Sequence, residues 1–166
     1  MKTAILGSVL LLAIPLAAPA AESDLYGTWK MVSQSQKVVD TGEIRAGRGK
    51  APNGYVTFTP DGRVIGVIVG EKRPKPESVA KMTDQQRIEL FNTMNAYAGT
   101  YKLEGNKLTY RYDLTHNEVA GRAAVREIKI DGRKLTQVNE PAPATADGKM
   151  VITTVIWEKV QAPSKK

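Results

Sequence analysis

Two tyrosines in one short segment have a spacing that indicates binding chemistry. Residues 107–114 alternate in polarity, and a strand over them would carry on one face Leu108, Tyr110, Tyr112 and Leu114. The opposite face would carry Thr109, Arg111, Asp113 and Thr115. The apolar face predicts burial, and buried tyrosine hydroxyls need hydrogen-bond partners from neighbouring strands or from a ligand.

Arg126 is predicted to point inward from another strand. It shares a strand face with Ile128 and Ile130, and a buried arginine must be paired. A carboxylate of the protein is the default partner. The functional alternative is an acidic or carbonyl head group of a bound molecule.

His116 is the single histidine, and it follows the tyrosines in a predicted loop. A solvated loop histidine is the simplest interpretation, and a general base or a ligand contact is the alternative. The sequence has no cysteine, no Gly-x-Ser-x-Gly, no His-Glu-x-x-His and no dinucleotide-binding glycine pattern. We therefore predict no catalytic residue apart from the candidate His116, no metal site and no cofactor.

Short alternating or β-branched segments separated by turn residues indicate an all-β sandwich or barrel. Eight strands are predicted, at about residues 25–39, 54–59, 63–70, 99–103, 107–114, 122–130, 133–139 and 149–160. Turns of a few residues, such as Pro60-Asp61-Gly62, make neighbouring strands antiparallel. The pattern predicts an up-and-down meander in one domain, residues 21–166.

One helix is predicted between the third and fourth strands. Thr83 and Gln86 have the spacing of a capping box, and a helix over 84–98 would align Ile88, Phe91, Met94 and Ala98. This apolar stripe is expected to seal one end of the barrel or to pack on its wall. Gly66, within the third strand, is expected at a bulge or bend, with one face of that strand on the core and the other on the helix.

Basic residues cluster in two predicted loops of a chain whose formal net charge is +7. The clusters are Arg45, Arg48 and Lys50, and then Lys72, Arg73 and Lys75. A solvated rim is the simplest interpretation, and attraction to an anionic membrane surface or to an acidic ligand is the alternative. Because no aromatic residues are interleaved with them, nucleic acid is not an expected partner.

The first twenty residues have the order of a secretory signal. Lys2 precedes an apolar stretch, and Ala18 and Ala20 supply the small-residue pair that signal peptidase reads, so cleavage is predicted before Ala21. Roughly 14 apolar residues, interrupted by Pro15, are fewer than the ~20 that span a bilayer. Because the cleavage site also lacks a lipid-accepting cysteine, we expect a free domain that is periplasmic or secreted.

Motifs along the mature chain resemble those of the bacterial lipocalin-like domain family. They are Leu25-Tyr26-Gly27-Thr28-Trp29, the segment 54–63, the segment 96–101, Val125-Arg126 before Asp131-Gly132, and the closing segment 155–160. The resemblance implies an eight-stranded barrel around an apolar cavity. It also implies structural roles for Gly27 and for Trp29, which closes the barrel base with Lys159 over it. Where that family often has Trp-Asn-Pro, this chain has His116-Asn117-Glu118, so the cavity mouth is expected to differ.

These patterns favour a binding or carrier protein for a small apolar or amphipathic molecule. The expected ligand contacts are Tyr55, Tyr110, Tyr112, His116, Asn117 and Arg126, with Phe58 and Ile65 or Val67 around the apolar part. An isomerase or cyclase that shapes a reactive substrate in the barrel is the second hypothesis. An envelope interaction protein that acts through its basic loops is the third.

Overall fold

The computed structural model of the protein describes residues 20–117, 121–144 and 146–161. Within them lie two helices, α1 (Glu22–Leu25) and α2 (Asp84–Asn92). The strands of the same residues are β1 (Gly27–Val38), β2 (Ile44–Ala46), β3 (Asn53–Phe58), β4 (Arg63–Val69), β5 (Met94–Glu104), β6 (Lys107–Thr115), β7 (Ala123–Asp131), β8 (Lys134–Asn139), β9 (Ala142–Pro143) and β10 (Met150–Lys159). The predicted export signal, residues 1–20, lies outside the described residues except for Ala20.

The strands close into a barrel. Antiparallel neighbours run in the order β1-β3-β4-β5-β6-β7-β8-β10, and β10 pairs back onto β1 from Trp29↔Lys159 to Val38↔Val151. The short strands β2 and β9 extend this sheet beside β1 and β10. The prediction of an eight-stranded antiparallel barrel with one helix inserted before the fourth barrel strand is therefore confirmed.

The base of the barrel is the end where β1 begins and β10 ends, and it is densely packed. Trp29, Phe58 and Trp157 are at most 1% exposed there, together with Leu25, Leu108 and Leu135. The indole of Trp29 donates a 2.7 Å hydrogen bond to the Leu25 carbonyl at the end of α1. The predicted first strand, residues 25–39, thus begins later, because the chain turns through α1 to cover the base.

The helix is shorter than the pattern predicts. The capping box forms as expected, with Gln86 N donating to Thr83 Oγ1, but α2 ends at Asn92. Met94 and Ala98, predicted on the helix stripe, lie in β5, where Met94 pairs with Val69 of β4. Ile88 and Phe91 of α2 remain about half exposed, and no residue of this helix is buried, so the expected packing of its stripe is wrong.

A bulge in β6 reverses part of the predicted strand face. Gly99 pairs with Tyr112 while its neighbour Ala98 pairs with Leu114, so Asp113 is the extra residue. Beyond it, Leu114 is 61% exposed and Thr115 is buried, the opposite of the prediction. The close approach needs glycine, because a Cβ on Gly99 would lie 2.0 Å from the Arg111 carbonyl oxygen. Tyr110 and Tyr112 precede the bulge and face inward as predicted.

Gly66 is not at a bulge, since β4 pairs in continuous register on both sides of it. Glycine is needed at this position because of a close contact: a Cβ on residue 66 would lie 2.4 Å from Cζ of the Tyr97 ring. Ile65 and Val67 lie on the outer face of β4 and are 60% and 49% exposed. The helix does not cover this face, which corrects the prediction that it would.

Candidate functional site

The inner wall of the barrel holds a connected polar cluster above the packed base. Gln137 of β8 is fully buried, and its amide nitrogen donates to the Tyr110 hydroxyl at 2.9 Å. Its carbonyl oxygen accepts from Arg126 Nη1 at 2.7 Å and from the Trp157 indole at 3.2 Å. One amide thus joins four strands through their inward side chains.

Arg126 lies within an aromatic box. Its guanidinium carbon is 4.4 Å from the ring centre of Tyr110, and Nη2 reaches the Tyr112 hydroxyl only at 3.5 Å. The rings of Tyr97 and Tyr112 meet edge to face, with 5.2 Å between their centres. The guanidinium is therefore held by ring faces and neutral oxygens, which gives it packing but no compensating charge.

The predicted protein carboxylate beside Arg126 is not found among the described residues. Burial alone would lower the pKa of this guanidinium, but the surrounding hydroxyls, led by Tyr110, raise that pKa above its ordinary value. For a tyrosine the effect of burial has the opposite sign, because the ionised form is an anion: burial raises the pKa of Tyr97 to about 12, although the nearby cation lowers it. At neutral pH the site therefore combines a buried cation with protonated phenols.

Four buried polar atoms have no hydrogen-bond partner among the described residues. They are Gln34 Oε1, Tyr97 Oη, Arg126 Nε and Asn139 Oδ1. Gln34 pairs with the inward Val155, and Asn139 pairs with Arg126, so each lies on the inner face above the base. Unsatisfied buried polar atoms are costly, and here four of them lie on the inner face without a partner among the described residues.

The two basic loops meet at the upper end of the barrel, opposite the base. Glu71 N donates to the Arg48 carbonyl at 3.1 Å, and Lys50 N donates to Glu71 Oε2 at 2.8 Å. Between these loops and the end of α2 lies a cavity of about 250 Å³, whose lining includes Arg48, Lys72 and Thr93. Burial lowers the pKa of Arg48. The upper end of the barrel is thus rich in cations.

A separate groove of about 440 Å³ lies on the outside of the barrel wall. It is lined mainly by outward residues of β4, β5 and β6, including Ile65, Val67, Ala98 and Leu114. His116 is also part of this lining, where its ring lies 5.1 Å from that of Phe91 and Nδ1 accepts from Ala96 N. This groove is largely apolar, and Tyr97 is a residue that its lining shares with the interior cluster.

The predicted ligand contacts are therefore divided between two places. Tyr110, Tyr112 and Arg126 come together inside, and Phe58 packs below them, with 6.1 Å between its ring centre and that of Tyr110. Tyr55 is 46% exposed on the outer face, beside Val67. Asn117 is exposed at the upper end. Ile65 and Val67 do not enclose an interior ligand, because β4 turns them outward.

Three of the predicted structural residues, Gly27, Trp29 and Lys159, lie together at the base, whereas Gly66 lies midway along β4. Gly27 has a φ of +109°, and a Cβ on it would lie 3.6 Å from Lys159 Cε. Lys159 Nζ is 5.1 Å from the ring centre of Trp29 and donates to the Asp24 carbonyl at 2.8 Å. These contacts hold the last strand across the first one where the barrel closes.

Sequence reasoning missed the two residues that complete the interior cluster, Gln137 and Tyr97. In a strand over 134–139 the side chains alternate between the two faces, so Gln137 shares a face with Leu135. This position predicts an inward amide. The predicted helix over 84–98 includes Tyr97, so the sequence pattern predicts no inward strand face for this residue. A polar residue in phase with buried ones is thus a marker of this site.

The described residues contain no group of His, Asp and Glu side chains arranged to hold a metal ion. Neither α1 nor α2, the helices of this part of the chain, has the length and apolar character to cross a membrane.

A closed eight-stranded antiparallel barrel, with a tryptophan at its base and a polar cluster inside, defines this protein as one of the lipocalin type. The chain belongs to the lipocalin-like domain family, whose model matches residues 26–160. A comparison with curated proteins finds no match. The family assignment supports a binding role in general.

Proposed function

We propose that this protein binds a small amphipathic molecule in the upper half of its barrel, with the polar end of that molecule at Arg126. The observation that carries the proposal is the buried guanidinium of Arg126, which has neither a counter-charge nor, at Nε, a hydrogen-bond partner among the described residues. A bound molecule would satisfy these atoms, whereas the packed base would stop its entry beyond Tyr110. The remaining part of the ligand extends toward the upper end.

The first experiment asks whether the protein carries a molecule. The full chain is produced in its own host, and the mature protein is analysed by native mass spectrometry and by thermal shift against a library of lipophilic compounds. We expect a bound mass or a reproducible rise in melting temperature. A protein that is consistently empty and shows no shift with any compound contradicts the proposal.

A matched pair of variants then locates the binding place. Ala124 pairs with Tyr110 on the inner face, while Ala98 lines the outer groove. Ala124→Phe is expected to block binding by filling the upper interior, and Ala98→Phe is the control that adds the same ring outside. Loss of binding in Ala98→Phe alone would instead place the ligand in the outer groove.

The isomerase or cyclase hypothesis loses its main support from this arrangement. It relied on His116 close to Tyr110 and Arg126, but His116 lines the outer groove while the other two face the interior. A proton transfer between them and one substrate would need a direct approach that the intervening wall prevents. Binding without turnover is the function that the interior supports best.

Export is a second part of the proposal, and its support is the pattern of residues 1–20. We infer that the mature protein begins at Ala21 and is periplasmic or secreted. Cell fractionation followed by mass determination of the intact mature chain tests this. A chain that retains its first residues and remains in the cytoplasm overturns it.

Weak contact with an anionic membrane surface is also proposed, because the two basic loops meet at one end of the barrel. The fraction of the protein that sediments with anionic vesicles is expected to fall as the salt concentration is raised. Replacing Lys72 and Lys75 by Gln should lower this fraction, and Lys129→Gln is the control. Equal binding to neutral vesicles contradicts this contact.

A further inference from the structure

The guanidinium of Arg126 has one edge in use and one edge available. Nη1 donates to Gln137, whereas Nε has no partner among the described residues and Nη2 has only the 3.5 Å contact with Tyr112. In a guanidinium, Nε–H and one Nη2–H point in the same direction at the spacing of two carboxylate oxygens. The available edge is thus the one that binds a carboxylate with two parallel hydrogen bonds.

Charge favours the same type of group. None of the five ion pairs among the described residues includes Arg126. Every side chain in these pairs has at least a quarter of its surface exposed. Arg126 is instead 9% exposed and forms no ion pair within this part of the chain. A buried cation without an anion is unfavourable. A neutral ligand would satisfy its hydrogen bonds but would leave its charge uncompensated.

The neighbouring groups are compatible with an anion. The Tyr97 hydroxyl lies beside the Arg126 guanidinium but has no hydrogen bond of good geometry among the described residues, so it can donate its proton to a carboxylate oxygen. The approach also carries cations, because Arg48 and Lys72 line the cavity at the upper end. A cationic entrance raises the local concentration of anions. Glu71 lines the same cavity and opposes this only in part, since its single carboxylate stands against two cations.

From these observations we infer that the molecule bound in the upper barrel is an amphipathic carboxylate, held side-on by Nε and Nη2 of Arg126 with the Tyr97 hydroxyl as a third donor. The inference rests on the proposed binding function and specifies its ligand class. Gln34 Oε1 on β1 and Asn139 Oδ1 on β8, directly beside Arg126, have no hydrogen-bond partner among the described residues, so a hydroxyl on the ligand would add further hydrogen bonds.

The test compares three probes of equal chain length with the mature protein: octanoate, octanamide and octanol. Affinities are measured by calorimetry at low salt and neutral pH. We expect octanoate to bind about tenfold or more tightly than the two neutral probes, because charge-assisted hydrogen bonds contribute more than neutral ones. Lowering the pH until octanoate is protonated should remove this preference.

Variants assign the preference to the available edge. Arg126→Gln should bring octanoate down to the affinity of octanamide, and Arg126→Lys should recover only part of the loss, because it restores charge without the fork. Tyr97→Phe should lower octanoate affinity by a smaller factor. Arg63→Gln is the matched control, since Arg63 pairs with Asp113 on the exterior, and it should leave all three affinities unchanged.

The outcomes separate this inference from the binding function itself. Equal affinity for the three probes in the native protein overturns the carboxylate and leaves the binding function intact, and this comparison needs no variant. If none of the probes binds, the molecule found in protein produced in its own host decides between the outcomes. A neutral molecule overturns the inference of a carboxylate ligand, and an acid supports it. An empty protein overturns both proposals.

Discussion

The two halves of the barrel interior contrast in how their polar groups are satisfied. At the base, Trp29 donates to a carbonyl, and the Tyr101 hydroxyl donates to the Thr59 carbonyl at 2.9 Å. Above it, four side chains each have a buried polar atom without a partner among the described residues: Arg126, Tyr97, Gln34 and Asn139. The base is therefore arranged for stability, whereas the upper half keeps hydrogen-bonding capacity that costs stability.

Gln137 marks the boundary between these halves. It bonds downward to the Trp157 indole of the base and sideways to Tyr110 and Arg126. Because it is fully buried, its amide orients the arginine without access to water. The upper site is therefore positioned by a rigid support rather than by loops.

The largest expected effect is at the base. Trp29→Ala should lower the free energy of unfolding by about 3–5 kcal/mol, through lost packing and a cavity that the closed barrel cannot fill. Chemical denaturation monitored by circular dichroism measures this. The control Ile65→Ala, on the exposed outer face, should change it by less than about 1 kcal/mol. Similar effects of the two substitutions contradict the distinction between base and surface.

The next effect is at the boundary. Gln137→Ala should lower the free energy of unfolding by about 2–3 kcal/mol. It leaves three groups without their buried partner: the Trp157 indole, the Tyr110 hydroxyl and the Arg126 guanidinium. Gln36→Ala is the control, since Gln36 is partly exposed and its oxygen only accepts from Arg45 Nε at 3.3 Å. If both variants melt at the temperature of the native protein, Gln137 does not support the cluster.

Alkaline pH should weaken the fold through buried tyrosines of both halves, because burial raises the pKa of Tyr101 at the base to about 12 as well. Burial raises the pKa of Tyr97 to about 12, compared with about 10 in an unfolded chain. Its contribution is therefore fully present below about pH 10 and is lost as pH rises toward about 12, by an amount on the order of 2–3 kcal/mol.

Denaturation at about pH 9 and about pH 11, together with the ultraviolet absorbance of tyrosinate, measures this dependence. Tyr97→Phe should reduce it, because phenylalanine cannot ionise. A native protein whose stability is equal at both pH values would show that Tyr97 ionises in the folded state as readily as in the unfolded chain.

The smallest effect is expected at Arg126, and it sharpens the contrast with the base. Arg126→Met keeps much of the side-chain volume and removes an uncompensated buried charge, so unfolding free energy should change by less than about 1 kcal/mol or rise. The same variant should lose octanoate binding. A loss of several kcal/mol in the ligand-free protein would assign Arg126 a mainly structural role.

The sequence by itself determined the strands, their antiparallel hairpins and the inward faces of Tyr110 and Arg126. These features depend on alternation within one segment and on turns of a few residues, which are local properties. The motif around Trp29 and its place in the first strand indicated the barrel as well. Alternation within single segments thus predicts part of the polar interior.

Tertiary structure alone decided which residues meet. The bulge at Asp113 depends on how β5 approaches at Gly99, so no pattern within β6 reveals that Leu114 turns outward. Residues after Thr93 have helical spacing, but they pair with β4 because that strand offers hydrogen bonds. Likewise, Gln137 in place of a carboxylate beside Arg126 follows from register between strands. Alternation assigns a side chain to a face, whereas only packing of separate strands sets its partners.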